Sequence, residues 1–214
     1  MKLNTKKRFM LYMCIMLLCT LLVDVSYAAG TYTVYKDKTN TYKGCKSTLQ
    51  SIGKVSSYKN SVVGTYPTRK GVILVTSTGK VANVLGHAAI VYSKGFIIES
   101  VEKGVVISKN NWKTKKKNMA AVTVRGTTAN QDRKVSDWCL KQRGKKYNYN
   151  YYGINSKGSY YCSQLIWAGY KNLYKINLNT KVYDVGKNKA IGPYEFVSKT
   201  SSIMYPIYMK NWNR

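Results

Sequence analysis

The sequence predicts an α+β fold in which an antiparallel sheet packs against helices. Between residues 71 and 125, short apolar segments rich in β-branched residues alternate with Gly, Lys and Asn turns. This pattern is typical of an antiparallel meander or a barrel-like sheet. Between residues 128 and 174 the apolar residues instead recur at helical spacing. Strands followed by helices, rather than strands alternating with helices, indicate the α+β class.

The predicted strands are short and closely spaced, so that neighbours along the chain pair as hairpins. Each contains Val, Ile, Ala or Phe and ends at a Gly, Lys or Asn turn. A last strand is predicted near the C-terminal end of the sequence. The predicted strands cover residues 71–76, 87–92, 96–100, 104–108, 121–125 and 203–209.

Two helices are predicted after the meander. The first begins at Thr128-Ala-Asn-Gln131, which resembles a capping box, and ends at Gly144. Cys139 lies on its apolar face, where a core position is expected. The second runs from about Cys162 to Tyr174 and carries one apolar stripe. Pro193 suits the first position of a short turn after it.

The first 28 residues have the pattern of a signal peptide. Lys6, Lys7 and Arg8 precede an apolar stretch from Met10 to Val23, and Ser26-Tyr27-Ala28 supplies small residues for cleavage. We therefore expect an exported chain, secreted or associated with the cell wall after cleavage near Ala28. Residues 29–70 have weak periodicity, so we expect a loosely structured lead-in with one short helix near residues 47–52. Residues 71–214 would then form the folded domain.

The chain is strongly basic. Removing residues 1–28 takes away four basic residues and Asp24, which leaves 32 basic and seven acidic side chains and a net charge of +25. Such a charge favours anionic partners, and for an exported monomer we expect wall polymer or membrane rather than nucleic acid. The densest group, here called the lysine cluster, is the candidate anion-binding surface; it comprises Lys113, Lys115, Lys116 and Lys117.

The few cysteine and histidine residues limit the kinds of catalytic and metal site that the chain can form. After residue 28 the chain has three cysteines, Cys45, Cys139 and Cys162, so at least one of them is free. The sequence does not decide whether Cys45 and Cys139 are paired. The only histidine is His87. Because one His and three separated Cys have no usual ligand spacing, no metal site and no cofactor is expected.

The single histidine also fixes the most plausible nucleophilic site. Cys162 opens the second helix, whose free N–H groups and dipole favour a thiolate. His87 begins one strand, and Glu99 lies in the apolar run Phe-Ile-Ile-Glu of the next strand. A buried carboxylate needs a partner, and facing side chains of adjacent strands lie about 5 Å apart. Cys162, His87 and Glu99 are therefore the candidate nucleophile, base and orienting group, with Tyr161 and Ser163 beside the thiol as candidate oxyanion or substrate contacts.

These pieces, in this order, resemble a known family. His87 on one strand, Glu99 on the next and then a Tyr-Cys-Ser-x-Leu helix are similar to the permuted papain-like amidases of the YaeF/YiiX type, relatives of the NlpC-type cell-wall peptidases. In papain itself the cysteine precedes the histidine. The resemblance runs from about Gly71 to Tyr208 and includes Pro193-Tyr-Glu-Phe.

The resemblance implies a circularly permuted papain-like fold and the same three residues in the same roles. It departs at Val72, where the family usually has an acidic residue, and at Gln164, where it often has Glu. We expect a cysteine hydrolase that cleaves an amide, most plausibly in peptidoglycan stem peptides. Two alternatives stay open: a thiol hydrolase or acyltransferase acting on lipid or acyl chains, and a non-catalytic module that binds wall or other polyanions.

Overall fold

The computed structural model describes six stretches of the chain, namely residues 31–39, 49–56, 61–77, 86–180, 190–198 and 203–212. The predicted signal peptide and Cys45 lie outside these residues. Within the described stretches, no helix is both long enough and apolar enough to cross a membrane.

The main element is a seven-stranded antiparallel sheet. Its strands are β3 Val62–Gly64, β4 Ile73–Thr76, β5 His87–Val91, β6 Phe96–Val101, β7 Gly104–Lys109, β8 Met119–Val124 and β11 Met204–Lys210. Their order in the sheet is β3-β11-β8-β4-β5-β6-β7, so that β11 lies inside the sheet and not at its edge.

In the part of the chain that the structure describes, three helices and a 3₁₀ turn accompany this sheet. α1 is a single turn, Trp112–Lys115, between β7 and β8. α2 is Ala129–Leu140 and α3 is Cys162–Tyr174, and a 3₁₀ turn spans Pro193–Val197. Two-residue strands β9, Lys146–Tyr147, and β10, Ser159–Tyr160, pair in parallel just before α3.

The α+β prediction is confirmed, and most of the predicted elements are found. α2 begins with the predicted capping box, because Thr128 Oγ1 accepts from the Gln131 N–H and Gln131 Oε1 accepts from the Thr128 N–H. The last strand pairs with β8 and β3, and its register shifts after Pro206. That irregularity accommodates a residue that cannot donate to the ladder.

The lead-in departs from the prediction of loose structure. β1, Thr31–Tyr35, pairs antiparallel with β2, Ser51–Ser56, and β3 joins the main sheet. The short helix predicted near residues 47–52 is wrong for its described part, since Ser51 and Ile52 begin β2. The physical reason is packing on one face, because Tyr32 and Val34 alternate into the core and meet Val55 there.

A buried ion network fastens this lead-in to α2. The Lys38 ammonium is fully buried 3.0 Å from Asp132 Oδ2, and it also donates to Thr127 and to the Val124 carbonyl. Arg69 bridges Asp132 and Asp37. Burial lowers the pKa of Lys38 to about 8 even though the Asp132 carboxylate acts in the opposite direction. The described residues between 31 and 70 are therefore an integral part of the fold.

α2 and α3 cover one face of the sheet, whereas Trp112 of α1 packs on the other face. Leu165 and Ile166 of α3 share a fully buried cluster with Ala88, Ile90 and Ile98 of the central strands. This packing brings the N-terminal end of α3 to the start of β5, where the candidate residues lie.

Candidate active site

Cys162 is the first residue of α3 and is almost completely buried. Tyr161 occupies the N-cap position, but no side chain caps the helix there. Gln164 instead turns back, and its Oε1 accepts from the Tyr161 N–H at 3.1 Å. The first N–H groups of a helix have no partner within the helix, so they are free to stabilise negative charge at Cys162.

His87 is positioned by the glycine that precedes it. Gly86 has φ +72°, and a Cβ atom at this position would lie 2.7 Å from the Thr76 carbonyl oxygen and 2.8 Å from the Tyr194 ring. Only glycine fits such a left-handed and crowded position without strain. His87 then starts β5, opposite Thr76 of β4.

Glu99 reaches the histidine diagonally across two strands. The register places Glu99 of β6 directly opposite Ala89, two residues beyond His87 on the same face of β5. His87 Nε2 and Glu99 Oε2 are nonetheless 2.7 Å apart, and their side chains are only 16% and 12% exposed. The neighbouring strands therefore bring the two residues together, although not as a directly facing pair.

The thiol of Cys162 lies beside the same ring, close enough for each group to shift the pKa of the other through charge and hydrogen bonding. Because Nε2 is engaged by Glu99, Nδ1 is the ring nitrogen left to face the sulfur. The Ser163 hydroxyl lies 3.9 Å from the sulfur, and the Ala88 backbone also helps to lower the pKa of Cys162. The three predicted side chains thus lie in one row, from sulfur to imidazole to carboxylate.

The charges in this row stabilise one another. Burial opposes ionisation of the Cys162 thiol, but the His87 charge and hydrogen bond outweigh it and hold the pKa of Cys162 below its usual value. Burial likewise works against the imidazolium, and the Cys162 and Glu99 charges overcome it to raise the pKa of His87 to about 9. The pKa of Glu99 is lowered, since its bond to His87 outweighs the effect of its own burial. The favoured state is a thiolate–imidazolium pair.

Cys139 provides the contrast. It is fully buried in α2, and burial alone raises the pKa of its thiol far above the usual value. Its predicted place in the core is what the structure shows.

The hydroxyls of Tyr161 and Ser163 are already engaged. Tyr161 Oη accepts from the Ile191 N–H at 2.9 Å and donates to the Tyr151 carbonyl, while Ser163 Oγ donates to the Ile191 carbonyl at 2.6 Å. Both side chains hold the segment around Ile191 against the start of α3. The contact of Tyr161 and Ser163 with an oxyanion or substrate stays a prediction.

The lysine cluster lies on α1 and the turn that follows it. Lys113, Lys115 and Lys117 are exposed, whereas Lys116 is partly buried. The Lys116 ammonium lies 5.2 Å from the centroid of the Trp112 ring. The cluster is thus a continuous basic surface with one member turned towards an aromatic side chain.

Two residues near the thiol were missed from sequence. The Trp112 ring lies against the His87 ring, with centroids 5.6 Å apart and planes tilted by 35°. Burial is the main cause that raises the pKa of the Tyr147 phenol, and the charge of the nearby Cys162 thiolate raises it further. The tyrosine-rich loop before Cys162 was a visible signal for Tyr147, but nothing in the sequence pattern relates Trp112 to His87.

A cysteine at a helix N-terminus, paired with a strand histidine, is the arrangement of papain-like thiol enzymes. The sequence profile of the permuted papain-like amidase enzymes, YaeF/YiiX, C92 family, matches residues 71–198. The chain belongs to this family, and the resemblance noted from the sequence is confirmed. Family membership supports a hydrolase of the amidase type.

One solved structure is similar to part of the chain. It is described as the crystal structure of metalloprotein yiiX from Escherichia coli O157:H7, DUF1105. The two chains are 18% identical with a TM-score of 0.44, over 53% of this chain and 70% of that one. No curated protein matches the chain. In the described parts of this chain, no group of three or more His, Cys, Asp or Glu side chains could hold a metal ion.

Proposed function

We propose that this protein is an exported cysteine hydrolase that cleaves an amide bond in cell-wall peptide. Cys162 would be the nucleophile, His87 the general base and acid, and Glu99 the group that orients His87. The observation that carries the proposal is the row of Cys162, His87 and Glu99, in which His87 is hydrogen-bonded to Glu99 and its charge lowers the pKa of the Cys162 thiol. Cysteine, histidine and glutamate supply, in that order, the nucleophile, the base and the orienting group that acyl transfer requires.

In the proposed reaction the Cys162 thiolate attacks the amide carbonyl carbon and forms a tetrahedral intermediate. N–H groups at the start of α3 are the candidate donors to its oxyanion. The His87 imidazolium gives its proton to the leaving amine as the carbon–nitrogen bond breaks, which leaves an acyl-enzyme. His87 then takes a proton from water, and the resulting attack on the thioester releases a carboxylic acid and restores the thiolate–imidazolium pair.

Glu99 contributes by holding the ring and stabilising its charge. Its bond to Nε2 leaves Nδ1 directed at the sulfur, and its negative charge favours the imidazolium that must protonate the leaving group. Proton transfer to a positioned histidine typically contributes about 10²–10⁴-fold to the rate. The Glu99 carboxylate maintains this contribution to the rate because it holds His87 in the required tautomer.

The proposals of a cell-wall substrate and of an exported location rest on the net charge and on the signal-peptide pattern of the first 28 residues. A net charge of +25 after residue 28 suits a protein that works against an anionic wall or membrane. Retention there would raise the local concentration of wall peptide without changing the chemistry. The lysine cluster is the proposed contact surface.

The test is mass spectrometry of two substrate preparations, peptidoglycan and lipid extract, after incubation with the protein lacking residues 1–28. We expect new amine and carboxylate ends in the peptide fraction with wild type and none with Cys162→Ala. Cys139→Ala is the matched control and should retain activity, since that thiol lies in the core. Products in the lipid fraction alone would instead support the acyl-chain alternative, and wall binding without products would support the binding module.

A further inference from the structure

A tyrosine-rich segment, residues 147–154 and here called the tyrosine loop, lies against the start of α3. It begins in β9, where Tyr147 pairs in register with Tyr160, two residues before the nucleophile. Further along, the Tyr151 and Tyr161 ring centroids are 5.3 Å apart, and the Tyr161 hydroxyl donates to the Tyr151 carbonyl at 3.3 Å. The loop therefore borders the residues on the N-terminal side of the nucleophile.

The tyrosine loop carries an aromatic surface that solvent can partly reach. The Tyr147 and Tyr149 ring centroids are 4.9 Å apart, and Tyr149 is 40% exposed. Tyr147 and Tyr151 are partly exposed. Burial is the main cause that raises the pKa of these two phenols, and the Cys162 thiolate charge raises both further. A peptide that reaches the thiol therefore has aromatic rings nearby on which it can pack.

Gln164 ties this loop to α3 with its whole carboxamide group. The residue is fully buried in the first turn of the helix. Its Oε1 accepts from Asn148 Nδ2 at 3.0 Å as well as from the Tyr161 N–H at 3.1 Å. Its Nε2 donates to the carbonyl oxygens of Gly153 at 3.2 Å and of Ile154 at 3.0 Å. All four hydrogen-bonding positions of the carboxamide are used, and three of them serve the loop.

A second glutamine shows what helix capping alone requires. Gln131 is the third residue of α2, as Gln164 is of α3, and its Oε1 accepts from the Thr128 N–H at 2.8 Å. A carboxylate could accept that bond equally well, but it could not donate to two carbonyl oxygens of a loop. The Nε2 donors of Gln164 therefore act on the tyrosine loop and not on the helix end.

We propose that Gln164 is a positioning residue, which locks the tyrosine loop on the start of α3 so that the loop holds a substrate peptide beside Cys162. This inference rests on the proposed function, because it concerns how the peptide is held at the same site. The rings of Tyr147, Tyr149 and Tyr151 supply the contact surface. Gln164 acts through the loop and makes no contact with the reacting atoms.

The test compares two neutral thiol reagents of different size. The Cys162 thiolate displaces iodide from iodoacetamide or from iodoacetyl-dialanine amide and forms a carbon–sulfur bond with either, which peptide mass spectrometry follows. The iodoacetamide rate measures the thiolate itself, so the ratio of the dipeptide rate to the iodoacetamide rate measures how well a peptide is held. Hydrogen exchange of the amides in residues 147–154 measures whether the loop is locked. Gln164→Glu keeps the acceptors and removes both donors, and Gln131→Glu is the matched control.

We expect Gln164→Glu to speed exchange in the loop by about tenfold or more, as the loss of two hydrogen bonds implies. The dipeptide-to-iodoacetamide ratio should fall at least about fivefold, within the ~10²-fold that a misplacement of about 1 Å can cost. Gln131→Glu should change both quantities by less than about 1.5-fold. Should Gln164→Glu fail to fold, Asn148→Ala opens the same lock from the loop side and should give both changes.

Two results would overturn the inference. Faster exchange with an unchanged ratio would make the role of Gln164 merely structural, and unchanged exchange would show that its donors do not lock the loop. The failure of the proposed function looks different. Fast labelling of Cys162 without cleavage of wall peptide would overturn that function, while the ratio of the two rates would still decide the role of Gln164.

Discussion

Replacing Glu99 by Gln removes the charge that supports the His87 imidazolium and leaves a side chain of the same shape. The affected bond joins His87 Nε2 and Glu99 Oε2 at 2.7 Å between side chains that are mostly shielded from water. A hydrogen bond to a charged group contributes roughly 1.5–3 kcal/mol, and a pKa unit corresponds to about 1.4 kcal/mol. The pKa of His87 should therefore fall from about 9 by roughly one to two units.

The thiol reports this change because Cys162 and His87 stabilise each other's charged forms. A less basic imidazole loses its proton at lower pH, so the alkaline step of iodoacetamide labelling, at which the thiolate loses its imidazolium partner, should move to lower pH by the same amount as the pKa of His87. The assay is the labelling rate of Cys162 between pH 4 and about 11, measured by peptide mass spectrometry. Glu102→Gln is the control, since Glu102 is an exposed carboxylate just after β6. A folded Glu99→Gln protein with an unmoved alkaline step would refute the reasoning, and loss of the fold would identify Glu99 as a structural anchor.

Four further outcomes are expected. Iodoacetamide at mildly acidic pH should label Cys162 and leave Cys139 unmodified; equal and slow labelling of both would argue for a structural Cys162. Asp132→Ala should cost about 3–5 kcal/mol in urea unfolding because it strands buried cations, whereas Asp137→Ala, which breaks a half-exposed pair, should cost less than about 1 kcal/mol. The pKa of His87 is raised to about 9 in the folded protein, so its contribution to folding stability should be complete below pH ~6.5 and lost as pH rises towards 9. Unfolding measured as a function of pH would detect this loss, and His87→Gln should abolish it. Neutralising the lysine cluster should release the protein from anionic walls or vesicles at lower salt without slowing iodoacetamide labelling; binding that persists at about 1 M salt would indicate non-electrostatic recognition.

The sheet and helices after residue 70 could be predicted because their signals are local. β-branched runs with turn residues between them defined the strands, and Thr128 with Gln131 marked the start of α2. The grouping of Cys162, His87 and Glu99 could be predicted for a different reason. With one histidine in the chain and an acidic residue in the next apolar strand, few combinations were available.

The lead-in could not be predicted because its strands depend on distant partners. β3 is three residues long and pairs with β11, which lies about 140 residues later in the chain. Lys38 is a residue type that is almost always exposed, and its burial follows from Asp132 and Thr127, which only the folded chain brings near it.

The finer geometry of the site also depends on tertiary structure. The diagonal approach of Glu99 to His87 follows from the register of β5 and β6, which the hydrophobic pattern alone does not fix to the residue. The approach of Trp112 to His87 follows from the path of the chain after β7. No local spacing relates positions 87 and 112.

Covalent catalysis by Cys162 requires an acyl-enzyme between this residue and a wall peptide. Quenching the reaction of the protein with peptidoglycan fragments in acid, followed by peptide mass spectrometry, would locate such an adduct. We predict a thioester-linked peptide on Cys162 that accumulates in the wild type before steady state and is absent from Cys162→Ala. Amide cleavage that continues in Cys162→Ala, or an adduct on another residue, would rule out Cys162 as the nucleophile.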